Sequence, residues 1–265
     1  MSSPGACANC GASLAGPYCH ACGQHESASH PATVGHLFHD LTHELLHVDG
    51  KIWRTARSLF TRPGELTAEY WAGRRARWLG PFRVFLIAAA AVVLFVPGIG
   101  PMNLRTLVQR KADGGLDLSI GSAVERRAGM RGMTPIGDDA ARGYQEELRR
   151  GYAAVRYAAI PIFALATRAL YRRRQRFYAN HVVLAVHFYS FWYLASLVTN
   201  QLPYRFGASI GVSISAIYLY LALRRLYGET ALLTVVKSAA LFVVMLTIEG
   251  VLAFLSAAWI SRTWQ

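Results

Sequence analysis

The chain has 265 residues, 53% hydrophobic and only 16% charged, with a mean hydropathy of +0.25. Ordinary soluble chains carry about 25% charged residues, so this composition argues against a plain soluble globule and points to lipid. The net charge of +13, from 28 Lys+Arg against 15 Asp+Glu, fits nucleic acid, anionic lipid or membrane topology, and the location of the charge must separate them.

The chain opens on the polar run Met1-Ser2-Ser3-Pro4-Gly5 with no apolar stretch behind it, which predicts no cleavable secretory signal. All four cysteines fall within the first 22 residues. In a reducing compartment such a framework is metal-binding rather than disulfide-bonded. Cys7-x-x-Cys10-Gly11 and Cys19-x-x-Cys22-Gly23 are two knuckles of one pattern. Each places two thiolates on one ion, and the glycine lets the backbone turn its N–H groups toward sulfur. Four thiolates make a closed tetrahedral zinc site, structural rather than catalytic. The competing reading is redox or free thiols, and the repeat of the pattern favours zinc. A small zinc ribbon is therefore expected over residues 1–26, with Tyr18 packed against it.

Residues 33–48 have apolar positions at Val34, Leu37, Phe38, Leu41, Leu45 and Val48, the spacing of an amphipathic helix. Its polar side carries His36, His39, Asp40, His43, Glu44 and His47. His43-Glu44-Leu45-Leu46-His47 matches H-E-x-x-H, in which two histidines hold a metal and the glutamate deprotonates its water. His39 is an additional candidate ligand. A motif with two free positions also arises by chance in a His-rich helix, so catalytic metal, non-catalytic metal and a merely polar face all stay open. Residues 51–60 and 65–79 form two further amphipathic pieces around Arg62-Pro63-Gly64, the second rich in Trp, Tyr and Arg and suited to the headgroup zone. Together residues 33–80 read as juxtamembrane helices.

Residues 81–265 read as a helical membrane domain, with spans near 81–96, 152–171, 181–199, 207–223 and 231–260. The first and fourth are close to the shortest length that crosses the hydrocarbon core. Pro161 is expected to kink the second. Arginine clusters at 74–77, 172–176 and 224–225 fall on one side if five spans alternate, which assigns that side to the cytoplasm. The N-terminus is then cytosolic, while the loop 98–150 and the C-terminus are extracytoplasmic. An ionisable residue in a span needs a partner, and Arg156 with Glu249 is the expected buried pair. His181 and His187 are candidates to join His43 and His47 at one metal, against the plainer reading of interhelical hydrogen bonds.

The run CANCGASLAGPYCHACGQ, the amphipathic helix, RPGELTAEYWAGRRARWLGPFRVF, YANHVVLAVHFYSFWYL and YLYLALRRLYGE together resemble a bacterial membrane family of uncharacterised function, domain of unknown function 3667. The resemblance implies an architecture, a ribbon followed by a helical membrane bundle, and no reaction, substrate or catalytic residue. The expected fold is therefore all-α: a polytopic bundle of about five spans behind amphipathic helices and a ribbon, in a bacterial inner membrane. One functional reading is an interaction, scaffold or lipid/solute-transport role, with membrane lipid and a cytosolic protein as partners. The other is a metal-dependent membrane hydrolase or protease, with Glu44 as base and a second metal on His43 and His47. Whether the chain is an enzyme stays open. Specific nucleic acid is not expected, because the ribbon itself has almost no Lys or Arg.

Overall fold

A computed structural model describes residues 5–26, 50–95, 106–110, 116–120, 156–199, 201–202 and 204–263. After the cysteine module come α1 (Lys51–Thr61), α2 (Glu65–Trp71) and α3 (Pro81–Phe95). Strands β1 (Thr106–Arg110) and β2 (Leu116–Ile120) follow, then α4 (Ala159–Tyr171), α5 (Tyr178–Thr199), α6 (Tyr204–Tyr227) and α7 (Ala231–Thr263). The long elements are helical, as composition predicts. The exception is an antiparallel pairing with Thr106 opposite Ile120 and Arg110 opposite Leu116, inside the segment 98–150 expected to be a loop. Leu116, Leu118 and Ile120 alternate with Asp117 and Ser119, a period of two.

Among the described residues three helices are long and apolar enough to cross a membrane: Tyr178–Thr199, Phe206–Tyr227 and Ala231–Ser256. Pro81–Val92 and Ala159–Tyr171 are apolar but shorter. The three long helices are not equivalent. The best window of α5 is 83% buried, against 33% and 28% for those of α6 and α7. The order of hydropathy is the reverse, 1.6 for α5 and 1.8 and 2.2 for the other two. The least apolar helix is the central one, packed against α3, α4 and α6, while α7 packs on α4 and α6. Asn180, His181, His187, Ser190 and Ser196 are all buried on α5. Their polar atoms need protein partners, because hydrocarbon supplies none. By contrast α7 leaves Leu232, Val236, Val243, Phe254 and Trp259 exposed, an apolar patch that water would not tolerate.

The amphipathic segment before the bundle packs directly on it. Trp71 Nε1 donates to the Asn180 carbonyl at 3.1 Å, Thr67 meets His187, and the Phe60 ring lies 5.6 Å from that of Phe191. Going back from Trp71 to Phe60 thus follows α5 forward from Asn180 to Phe191, roughly 16 Å at 1.5 Å per residue. The turn between α1 and α2 presses on α6. Gly64, at φ +78°, would bring a Cβ within 3.0 Å of the Ala222 backbone, so the close approach requires glycine.

Pro161 lies in the first turn of its helix, not in the interior where a proline kinks, because α4 starts at Ala159 after a short 3-10 turn over Arg156–Ala158. Its missing N–H has no intrahelical acceptor to lose there.

Candidate metal centre

The two knuckles fold identically. The Gly11 N–H donates to the Cys7 carbonyl and the Cys7 N–H to the Ala12 carbonyl, both at 2.8 Å. In the second knuckle the Gly23 N–H donates to the Cys19 carbonyl at 2.8 Å and the Cys19 N–H to the Gln24 carbonyl at 2.9 Å. Gly11 (φ 77°) and Gly23 (φ 72°) take the left-handed conformation that ends each turn without a Cβ clash. Short bridges, Ala6 to Ser13 and Tyr18 to His25, close the two loops. Tyr18 does not pack on the sulfurs. It is exposed and meets the His25 ring edge-on at 4.7 Å, since the minimal loop leaves no apolar pocket for it.

All four Sγ atoms lie within 4.8 Å of one another. Cys7 and Cys22 are 3.6 Å apart, and Cys10 and Cys19 are 3.5 Å apart. A tetrahedron with metal–sulfur bonds of about 2.3 Å has edges of about 3.8 Å, so the sulfurs fit one tetrahedral ion. Both close pairs lie at S–H···S hydrogen-bonding distance. The Ala12 backbone lowers the Cys10 thiol, but its bond with Cys19, burial and the other two thiols push it up to about 12. Burial raises Cys19, yet hydrogen bonds from the Ala21 and Cys22 backbone and from Cys10 bring it down to about 6. Among the described residues this is the group of clustered ligands that could hold a metal ion. Four protein ligands leave no open position for water, so the arrangement can organise the chain but not activate a nucleophile.

The centre is fastened to the turn between α2 and α3 by Gln24, which follows Gly23 of the second knuckle. Its side chain is buried and makes three hydrogen bonds to one turn. Nε2 donates to the Gly73 carbonyl at 2.8 Å, and Oε1 accepts from the Arg75 and Ala76 N–H groups at 2.9 and 3.0 Å. The same turn is braced by Glu69, whose carboxylate accepts from Arg74 Nη2 at 2.7 Å and also pairs with Arg77. The Arg74 guanidinium, with Arg77 assisting against the cost of burial, holds the Glu69 carboxyl down at about 2.

The other sequence-predicted site residues distribute as follows. His39, His43, Glu44 and His47 lie outside the described residues. His187 is buried with Nδ1 2.9 Å from the Thr67 hydroxyl. His181 lies 3.2 Å through Nδ1 from the Tyr227 hydroxyl and 3.1 Å through Nε2 from the Gln175 carbonyl. Each thus has its own hydrogen-bonding partners. Glu249 is buried inside α7, within interaction range of the Tyr189 hydroxyl of α5. Arg156 opens the 3-10 turn, and its side chain is outside the described set.

Sequence reasoning missed one polar cluster, at the end of the bundle where α4 and α6 stop and α5 and α7 begin. Lys237, in the second turn of α7, reaches both Glu229 oxygens at 2.7 and 2.8 Å. Its ammonium also sits 4.4 Å from the centre of the Tyr171 ring, which stacks on Tyr227 at 3.7 Å. A lysine in an otherwise apolar segment, eight residues after a glutamate, was the available signal.

No curated protein and no solved structure matches the chain. Residues 49–93, which carry α1, α2, the Gln24-bound turn and most of α3, match the family model described as Protein of unknown function (DUF3667). The chain therefore bears the signature of that family in the segment linking the cysteine module to the helical bundle.

Proposed function

We propose that this is a multi-pass inner-membrane protein whose four-cysteine module is a structural zinc ribbon on the cytosolic side, with an interaction, scaffold or lipid/solute-transport role. The observation that carries the reading is the Gln24 contact. It joins a closed thiolate centre to the turn immediately before the first apolar helix. A zinc site without an open position stabilises a small module that has almost no core of its own. Anchored beside the membrane entry, the module presents its exposed face to a cytosolic partner.

The five-span topology is supported by three long apolar helices, two shorter ones and the arginine clusters near residues 74–77, 172–176 and 224–225. An odd number of spans puts the termini on opposite sides. A reporter that works only outside the cytoplasm should be active when fused after Gln265 and silent when fused before Met1. Equal behaviour at both ends would exclude five spans.

Metal stoichiometry of the purified full chain tests the centre. One zinc per chain, lost in Cys7→Ser, is the expected result. No bound metal would remove the ribbon reading. A second metal, lost in His43→Ala or His47→Ala, would instead support the hydrolase reading built on His43, Glu44 and His47.

A further inference from the structure

The helix α1 divides into two faces. Thr55, Ser58 and Leu59 are buried, and the Thr55 hydroxyl accepts from the Leu79 N–H at 3.1 Å, which fastens α1 to the chain two residues before α3 begins. On the opposite side Trp53, Arg57 and Phe60 stand at i, i+4 and i+7, the spacing that aligns side chains on one stripe of a helix. Trp53 is 84% exposed and Phe60 46%, and Arg54 and Arg57 are exposed beside them. We propose that this face docks on the anionic lipid headgroups around the start of α3.

The chemistry of the stripe selects that occupant. Within α1, Lys51, Arg54 and Arg57 are basic and no residue is acidic, so three positive charges stand against none. The nearest carboxylate in sequence among the described residues, Glu65, is taken up by the Ser58 hydroxyl and by Arg62. Anionic headgroups attract such a cluster, and the guanidinium fork matches phosphate. Trp53 has an apolar body and an N–H tip, the combination that suits the boundary between headgroups and acyl chains.

An acidic protein would also satisfy the arginines, but the place of α1 in the fold favours lipid. Thr55 holds it at the start of the first apolar helix, and that helix shows Ile87 and Phe95 outward. The tryptophans of residues 65–79 are engaged elsewhere: Trp71 donates to the Asn180 carbonyl and Trp78 Nε1 is buried. Headgroup contact, expected from the sequence at 65–79, therefore falls to Trp53.

Docking of α1 rests on the membrane reading and not on the zinc reading. The full chain is placed in nanodiscs of phosphatidylcholine and phosphatidylglycerol. One lipid or the other carries bromine on its acyl chain near the headgroup, where it quenches tryptophan fluorescence on contact. The difference between wild type and Trp53→Phe isolates Trp53, and this exposed substitution leaves the buried face of α1 unchanged. Quenching that remains in the variant comes from tryptophans of the bundle such as Trp259, which is 70% exposed on α7. At equal mole fraction, brominated phosphatidylglycerol should quench Trp53 about twice as strongly as brominated phosphatidylcholine. The double variant Arg54→Gln with Arg57→Gln should lose that preference. Bundle quenching with none from Trp53 overturns the proposal, leaves the membrane reading standing and opens the face to an acidic protein. Equal quenching of Trp53 by the two lipids, or a preference that survives the double variant, overturns it as well. No quenching of any tryptophan overturns the membrane reading together with it.

Discussion

The Thr67 hydroxyl lies 2.9 Å from Nδ1 of His187, and both residues are buried. This contact joins residues 120 positions apart and ties the short helix α2 to the middle of the central helix α5. It gives a histidine inside an apolar bundle a fixed partner. With the Trp71–Asn180 hydrogen bond it holds α2 along α5.

Thr67→Val keeps the shape of the side chain and removes the hydrogen bond. His187 is then left with a buried polar nitrogen lacking its partner, at a cost of about 1–3 kcal/mol. Thermal unfolding in detergent should show a lower midpoint for Thr67→Val, and smaller loss for the double variant Thr67→Val with His187→Leu. An unchanged midpoint in the single variant would mean that the contact contributes nothing.

Gln24→Ala removes three hydrogen bonds between the cysteine module and the Gly73–Ala76 turn while leaving every thiol in place. The Arg75 and Ala76 amides, which donate to the Gln24 side chain, should then exchange with solvent faster. Metal content should stay the same. Hydrogen exchange read by mass spectrometry on peptides covering residues 70–80 checks this, and protection equal to wild type would show that the module is held by other contacts.

Glu69 gives the fold an acid-sensitive brace. Its carboxyl is lowered from 4.5 to about 2, first by its hydrogen bonds with Arg74 and then by Arg77. A carboxyl depressed in the folded state stabilises that state at any pH above its unfolded value. The contribution is therefore whole above about 4.5 and is lost as pH falls toward 2. Melting temperature measured from pH 6 down to pH 3 should decline more steeply for the wild type than for Glu69→Gln. Parallel curves would remove Glu69 from the acid response.

The cysteine module was legible because its information is local. Two identical knuckles, each with a glycine after the second cysteine, specify the same turn twice, and thiolate chemistry does the rest. The apolar helices were legible for a similar reason, since length and composition alone make a span. Gln24 was visible in the motif, but its role was not. Nothing in CGQ states that the amide reaches a turn some fifty residues away. For Lys237 the nearby Glu229 was readable in the sequence, but the ring neighbour Tyr171, on a different helix, was not.

Spacing and composition within short windows specify the four-cysteine module and the apolar helices that follow it. Which helix is central depends on contacts between distant segments, and it is the least apolar of the three long ones. Hydrophobicity cannot rank helices inside a membrane, where lipid is as apolar as any side chain. What ranks them is the polar groups, and α5 carries His181 and His187, which meet the Tyr227 and Thr67 hydroxyls of neighbouring helices.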